Sequence, residues 1–186
     1  MTIAKPAATA PLKLDLACGQ MPRDGFEGVD VWSGARHVVD LLTFPWHWRD
    51  SSVDELNCSH FIEHIPTERT PAGQDMFFAF FDECWRILKP GALFFVQCPN
   101  ARSNRAFQDP THRRFIVAET FLYLSAEWRK SSGLTHYDVK CDFKIDVEAI
   151  ISSELSKLES TTLTARMGSE WNVIQDWHAT LRTIKT

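Results

Sequence analysis

Residues 12–17 (LKLDLA) read as a short apolar strand and residues 28–32 (GVDVW) as a second, with only ten residues between them. A full crossover helix with its loops needs a dozen residues or more, so the spacing predicts neighbouring strands whose connecting helix is reduced to about one turn. The connection, CGQMPRDGFE, also lacks the G-x-G-x-x-G spacing and the helix N-terminus that cradle a pyrophosphate. The outline is that of a parallel α/β sheet with no phosphate cradle after its first strand.

The chain then continues in the same style. Residues 37–42 (HVVDLL) and 53–59 (VDELNCS) predict a third and fourth strand, and a one-turn helix at 61–65 is stopped by Pro66. Across residues 71–88, Phe77, Phe80, Phe81, Cys84, Trp85 and Leu88 recur at helical spacing, and Lys89-Pro90-Gly91 closes that helix. The run 93–98 (LFFVQC) is apolar throughout, as in a strand covered on both faces. After a loop and a helix, residues 137–148 (YDVKCDFKIDVE) alternate strictly, predicting an antiparallel strand with one wet face and residues 171–184 as its partner. The intervening SSELSKLES is expected as a short helix or an excursion. The order predicts an α/β fold with a mostly parallel sheet and an antiparallel C-terminal strand pair.

At 186 residues, 44% hydrophobic and 24% charged, the composition suits one globular domain, expected over residues 12–186 after a loose tail at 1–11. A net charge of -4 argues against a surface devoted to nucleic acid. Five scattered cysteines without a C-x-x-C pair suggest free thiols in a reducing compartment, and a cytoplasmic protein is expected. No apolar run approaches the roughly 20 residues of a bilayer span, so no membrane partner is expected.

Ligands of such sheets bind beyond the carboxyl ends of the strands. Asp15, Asp30 and Asp40 fall on three successive strands at or near those ends. A lone aspartate in an apolar strand is ordinarily a turn or cap residue, but three in this arrangement favour a cationic nucleoside. S-adenosylmethionine, with an ammonium, a sulfonium, a ribose diol and no phosphate, meets that description. LDLACG resembles the L-D-L-G-C-G opening motif of class I S-adenosylmethionine-dependent methyltransferases. GVDVW, VVDLL, SSVDELNCSHFIEHI and CWRILKPGALFFVQCPN resemble the later motifs of that family, in family order over about residues 12–100. AFQDPTHRRF followed by ETFLYLS is similar to a subgroup of small bacterial or phage members. The chain departs from the pattern at Ala17 and Gln20, where glycine is common.

The resemblance implies a Rossmann-like, seven-stranded sheet with a shortened first helix and S-adenosylmethionine as cofactor. Asp15, Ala17, Cys18 and Gly19 would line its methionine end. Asp30 would hold the ribose, Val31 would pack beside the adenine, and Asp40 and Leu41 would meet the adenine edge. Cys58, Ser59 and His60 would close the site from below.

His60-Phe-Ile-Glu63-His64 also spells H-x-x-E-H, a zinc-peptidase pattern that needs two imidazoles on one face of a long helix. Pro66 leaves no room for that helix, so no metal is expected and a zinc hydrolase is the least favoured reading. Arg102, Arg105, Arg113 and Arg114 cluster after the fifth strand, where they would hold an anionic small-molecule acceptor; a nucleic acid acceptor is less favoured. Asp109, His112 and His60 are the candidate proton acceptors. The expected activity is methyl transfer, with a non-catalytic nucleoside-binding module as the alternative.

Overall fold

The computed structural model describes residues 10–185; the expected tail, except its last two residues, lies outside them. Seven strands form one sheet: β1 (Lys13–Leu16), β2 (Glu27–Asp30), β3 (His37–Val38), β4 (Val53–Ser59), β5 (Leu88–Pro99), β6 (Phe143–Ile151) and β7 (Ile174–Thr183). Their order is β3-β2-β1-β4-β5-β7-β6. The β1–β2, β1–β4, β2–β3 and β4–β5 pairs are parallel, whereas β7 runs antiparallel to both β5 and β6. The fold is the α/β sheet read from the sequence.

No helix forms between β1 and β2; residues 17–26 make turns instead. Helix α1 (Met76–Ile87) starts five residues later than the period suggests, because the Asp75 carboxylate caps it by accepting the Phe77 N–H at 2.9 Å. Its buried face carries Phe77, Phe80, Phe81, Cys84 and Ile87, and Phe80 and Phe81 pack against Phe94 of β5. Full burial of each such ring contributes roughly 2–3 kcal/mol. Trp85, expected on that face, is half-buried and sends its indole N–H to the Ile184 carbonyl at 3.1 Å.

Two strands are shorter than the alternation implies. β3 stops at Val38 because Asp40 folds its carboxylate onto the Leu42 N–H and the Thr43 hydroxyl, closing a turn. β6 begins only at Phe143, since the Lys140 and Cys141 N–H groups donate to the Asp82 carboxylate at 2.9 and 2.8 Å rather than to a strand. Helix α2 (Ala126–Ser131) and a 3-10 segment, Ala118–Leu124, connect β5 to β6. The excursion before β7 carries helix α3 (Ser160–Ser169), which buries no residue. No described helix is long and apolar enough to cross a membrane.

Candidate functional site

β1 ends in a sharp reversal. Ala17 adopts a left-handed backbone, φ 55°, and so does Gly19 at φ 56°. The turn is pinned by Asp15, only 5% exposed, whose two oxygens accept the Arg23 N–H and the Asn57 side-chain amide, both at 2.7 Å. Gly28 on β2 lets the turn lie flat. A Cβ there would stand 2.7 Å from Cys18 Sγ and 3.1 Å from Pro22 Cβ. Close turn–strand packing thus takes the place of the absent helix.

Asp30 closes the other side. Its carboxylate accepts the Gly19 N–H and the Trp32 N–H, each at 2.9 Å. Beside it Val31 is 67% exposed and Trp32 41% exposed, an open apolar ledge at the tip of β2. Burial, then Asp15 and Asp30, push the Cys18 thiol above its ordinary pKa, so it stays neutral in an electronegative corner.

Asp15, Ala17, Cys18 and Ser59 from the sequence-predicted set line one cavity of about 460 Å³. Met21, Arg23, Asn57, Gln97 and His178 complete it. Arg23 Nη1 donates to Asn57 Oδ1 at 2.8 Å, and its guanidinium lies over the Phe26 and Phe95 rings at 5.1 and 5.3 Å. His178 pairs with Gln97 across β5 and β7. These residues escaped the sequence reading. Asn57 and Gln97 were visible only as lone amides interrupting apolar strands, and His178 comes from a strand that alternates poorly.

Other expected residues are placed differently. The Cys58 and Leu41 side chains are buried in the core, and burial drives the Cys58 thiol well above its usual range, so neither can offer more than backbone to a ligand. The Asp40 carboxylate shapes its own turn, as Asp15 and Asp30 shape theirs, and it does not line the cavity. His60, with φ 54°, donates its N–H to the Gln97 carbonyl at 2.8 Å. Its Nδ1 lies 3.3 Å from buried Glu63, whose carboxylate raises the imidazole pKa against the opposing effect of burial.

The basic loop requires a larger correction. Arg105 pairs with Asp176, 1% exposed, at 2.9 Å. Arg114 binds the Ile65 and Pro66 carbonyls and Asp75, while Arg102 binds the Gly168 and Glu170 carbonyls. These three arginines tie the loop to the rest of the fold, because each finds an acceptor contributed by a neighbouring element. Arg113 reaches only the Pro110 and His112 carbonyls and remains exposed. Asp109 is held below the usual carboxylate range by the Thr111 hydroxyl and N–H, which makes it a weak base. The H-x-x-E-H pattern does not make a zinc-peptidase helix: only Ile62–His64 turn, as a 3-10 segment, and His60 precedes them in a left-handed conformation.

A second cleft, of about 520 Å³, is walled by Phe77, Phe78, Tyr123 and Tyr137, with Arg113, Arg114 and Glu119 among its polar groups. Phe77 and Phe78 stand in the first turn of α1, which follows β4, and Arg113 stands in the loop after β5. Both segments leave the sheet at its carboxyl edge, the edge that carries the Asp15 cavity.

Solved structures share this architecture along nearly the whole chain. A S-adenosylmethionine-dependent methyltransferase from Archaeoglobus fulgidus matches with a TM-score of 0.62 at 18% identity, covering 93% of this chain and 86% of that one. One from Mesorhizobium loti matches at 0.53 and 14% identity, covering 92% and 90%. The chain therefore has the fold of the class I S-adenosylmethionine-dependent methyltransferases. Its version compresses the first crossover into turns. The [4+2]-cyclase SpnF has the same fold, with a TM-score of 0.51, 16% identity and coverage of 95% and 76%, so the fold alone does not dictate the reaction. No family model and no curated protein sequence matches the chain.

Proposed function

We propose that this protein transfers a methyl group from S-adenosylmethionine to a small-molecule acceptor carrying an anionic group. The observation that supports this reading is the pairing of two carboxylates, Asp15 and Asp30, at adjacent strand tips beside an apolar ledge and a cavity of about 460 Å³. The donor set suits a cationic nucleoside. Asp30 would accept the ribose hydroxyls, Val31 and Trp32 would flank the adenine, and Asp15 would face the ammonium. Arg23 supplies the guanidinium that the methionine carboxylate requires.

When bound, this cofactor supplies a methyl already activated by its sulfonium. The chain's own task is to orient an acceptor behind that carbon and to exclude water. The electronegative corner that keeps Cys18 protonated also favours a sulfonium. Arg113 and the aromatic walls of the neighbouring cleft suit an acceptor with an anionic end and an apolar body. Where the acceptor arrives protonated, His178 is better placed than His60, His112 or Asp109, because it lines the cavity.

Calorimetry with S-adenosylmethionine, followed by labelled-methyl transfer to a library of phosphorylated and carboxylated amines and phenols, tests the reading. Micromolar binding with transfer to an anionic acceptor is the expected result. Binding without transfer to any compound would indicate a nucleoside-binding module, and the absence of binding would overturn the proposal.

A further inference from the structure

One cluster of metal-ligating side chains lies outside the strand-tip cavity. Glu63 and His64 come from the 3-10 turn after β4, and His112 comes from the loop after β5. One ligand atom from each lies within 4.8 Å of the other two. The two segments are fastened at this point: the Arg113 and Arg114 N–H groups donate to the Glu63 carbonyl at 2.7 and 3.0 Å.

The hydrogen bonds fix both imidazoles in the same tautomer. His112 Nδ1 is 2.9 Å from the Ala106 carbonyl, which can only accept, so Nδ1 carries the proton and Nε2 keeps its lone pair. The Thr111 hydroxyl donates to Asp109 at 2.7 Å, and its oxygen therefore accepts from His64 Nδ1 at 3.0 Å. His64 Nε2 is again left with a lone pair. An oxygen acceptor behind each ring is the outer shell that orients histidine ligands toward a metal.

Glu63 provides the charge. It is 1% exposed, yet neither carboxylate oxygen receives a hydrogen bond. His60 Nδ1 stands 3.3 Å from one of those oxygens and feels its charge, but the contact falls short of hydrogen-bond geometry and leaves the other oxygen with no neighbour to bond among the described residues. A buried carboxylate without donors carries a desolvation cost of several kcal/mol. Beside two imidazole lone pairs, a divalent cation would satisfy all three groups together.

We propose that Glu63, His64 and His112 bind a divalent transition metal of the zinc type. Two imidazole nitrogens and one carboxylate are a common three-ligand set for such ions. Bonds of about 2.1 Å place tetrahedral ligands about 3.4 Å apart, so the three groups, now within 4.8 Å of one another, would draw together on binding. A fourth position is left for an exogenous ligand. His64 also borders a cleft of about 510 Å³ with Thr111 and Arg113, through which an anion can approach. The site is independent of the proposed cofactor and is unrelated to the H-x-x-E-H arrangement, since His112 takes the place that His60 would have.

Chelator-stripped protein should bind one Zn2+ per chain in calorimetry, with affinity falling at least a hundredfold in His112→Gln and Glu63→Gln and unchanged in Cys18→Ser. Co2+ loaded into the unmodified protein should show d–d bands and no thiolate charge-transfer band, a readout that needs no variant. Zn2+ should also raise the melting temperature of the unmodified protein and leave that of His112→Gln where it is. Absence of stoichiometric binding, undiminished affinity in both ligand variants, or a thiolate band would overturn the assignment.

Discussion

The Gly19 N–H donates to Asp30 Oδ2 at 2.9 Å, so the turn after the first strand is held by the acid at the tip of the second. One carboxylate thus shapes the turn and faces the ledge where a ribose would lie. Asp30→Ala is expected to weaken S-adenosylmethionine binding at least a hundredfold in calorimetry, while lowering stability by about 1–3 kcal/mol, since the Gly19 and Trp32 N–H groups lose a charged acceptor but stay open to water. Affinity within threefold of the unmodified protein would remove Asp30 from the site.

Gly28 and Cys18 form a steric pair. Because a Cβ at position 28 would stand 2.7 Å from Cys18 Sγ and 3.1 Å from Pro22 Cβ, Gly28→Ala must turn the Cys18 side chain aside or lift the turn that lines the cavity. The expected outcome is a loss of about 1–3 kcal/mol in chemical denaturation, the range for overpacking, together with weakened cofactor binding. Adding Cys18→Ala removes the obstructing sulfur, so the double variant should recover much of the stability lost. A double variant no better than Gly28→Ala alone would show that Pro22, at 3.1 Å, is the governing contact.

Most of the sheet was legible because its signals are local. The apolar runs of β1, β4 and β5, the helical period of α1 and the short β1–β2 connection each fix a strand or helix without distant information. The site was legible only in part. Asp15 and Asp30 stand out as acids at strand tips, whereas Gln97 and His178 reach the cavity through strand pairing and Arg23 through the path of the β1–β2 turn, neither of which has a local signature. The Arg102–Arg114 cluster misled for the same reason. Its partners, Asp176, Asp75 and the Ile65 and Gly168 carbonyls, lie 39 to 71 residues away in the chain, so surface charge could not be told from internal ties. The alternation over residues 137–142 failed because Asp82, on α1, captures the backbone N–H groups a strand would have used.

Ala17 holds a left-handed backbone that costs an L-residue about 1 kcal/mol and that glycine adopts freely. Ala17→Gly should therefore stabilise the protein by up to about 1 kcal/mol, with a rise of a few degrees in melting temperature, despite glycine's larger unfolded-state entropy. Cofactor affinity should stay within a few-fold, since no side-chain donor is removed. A fall in melting temperature would mean that the alanine methyl contributes more by packing against the core than the backbone conformation costs.

Asp54 offers a pH-dependent test away from the cavity. It accepts the Leu12 N–H at 2.9 Å and pairs with Lys89 at 2.7 Å, tying the starts of β1, β4 and β5 together. Partial burial works against its ionisation, but the Lys89 and Leu12 hydrogen bonds prevail and depress its pKa below the ordinary 3.8. A carboxylate depressed on folding stabilises the protein above its unfolded pKa, and that contribution is lost as pH falls through the folded value. Asp54→Asn should therefore be less stable than the unmodified protein at pH 7, by no more than about 1 kcal/mol because both partners touch water. The difference should hold down to about pH 5 and shrink below pH 4. Urea denaturation of the two proteins from pH 3 to 7 measures it, and a gap that is constant or widens toward low pH would contradict the assigned role of the Asp54 charge.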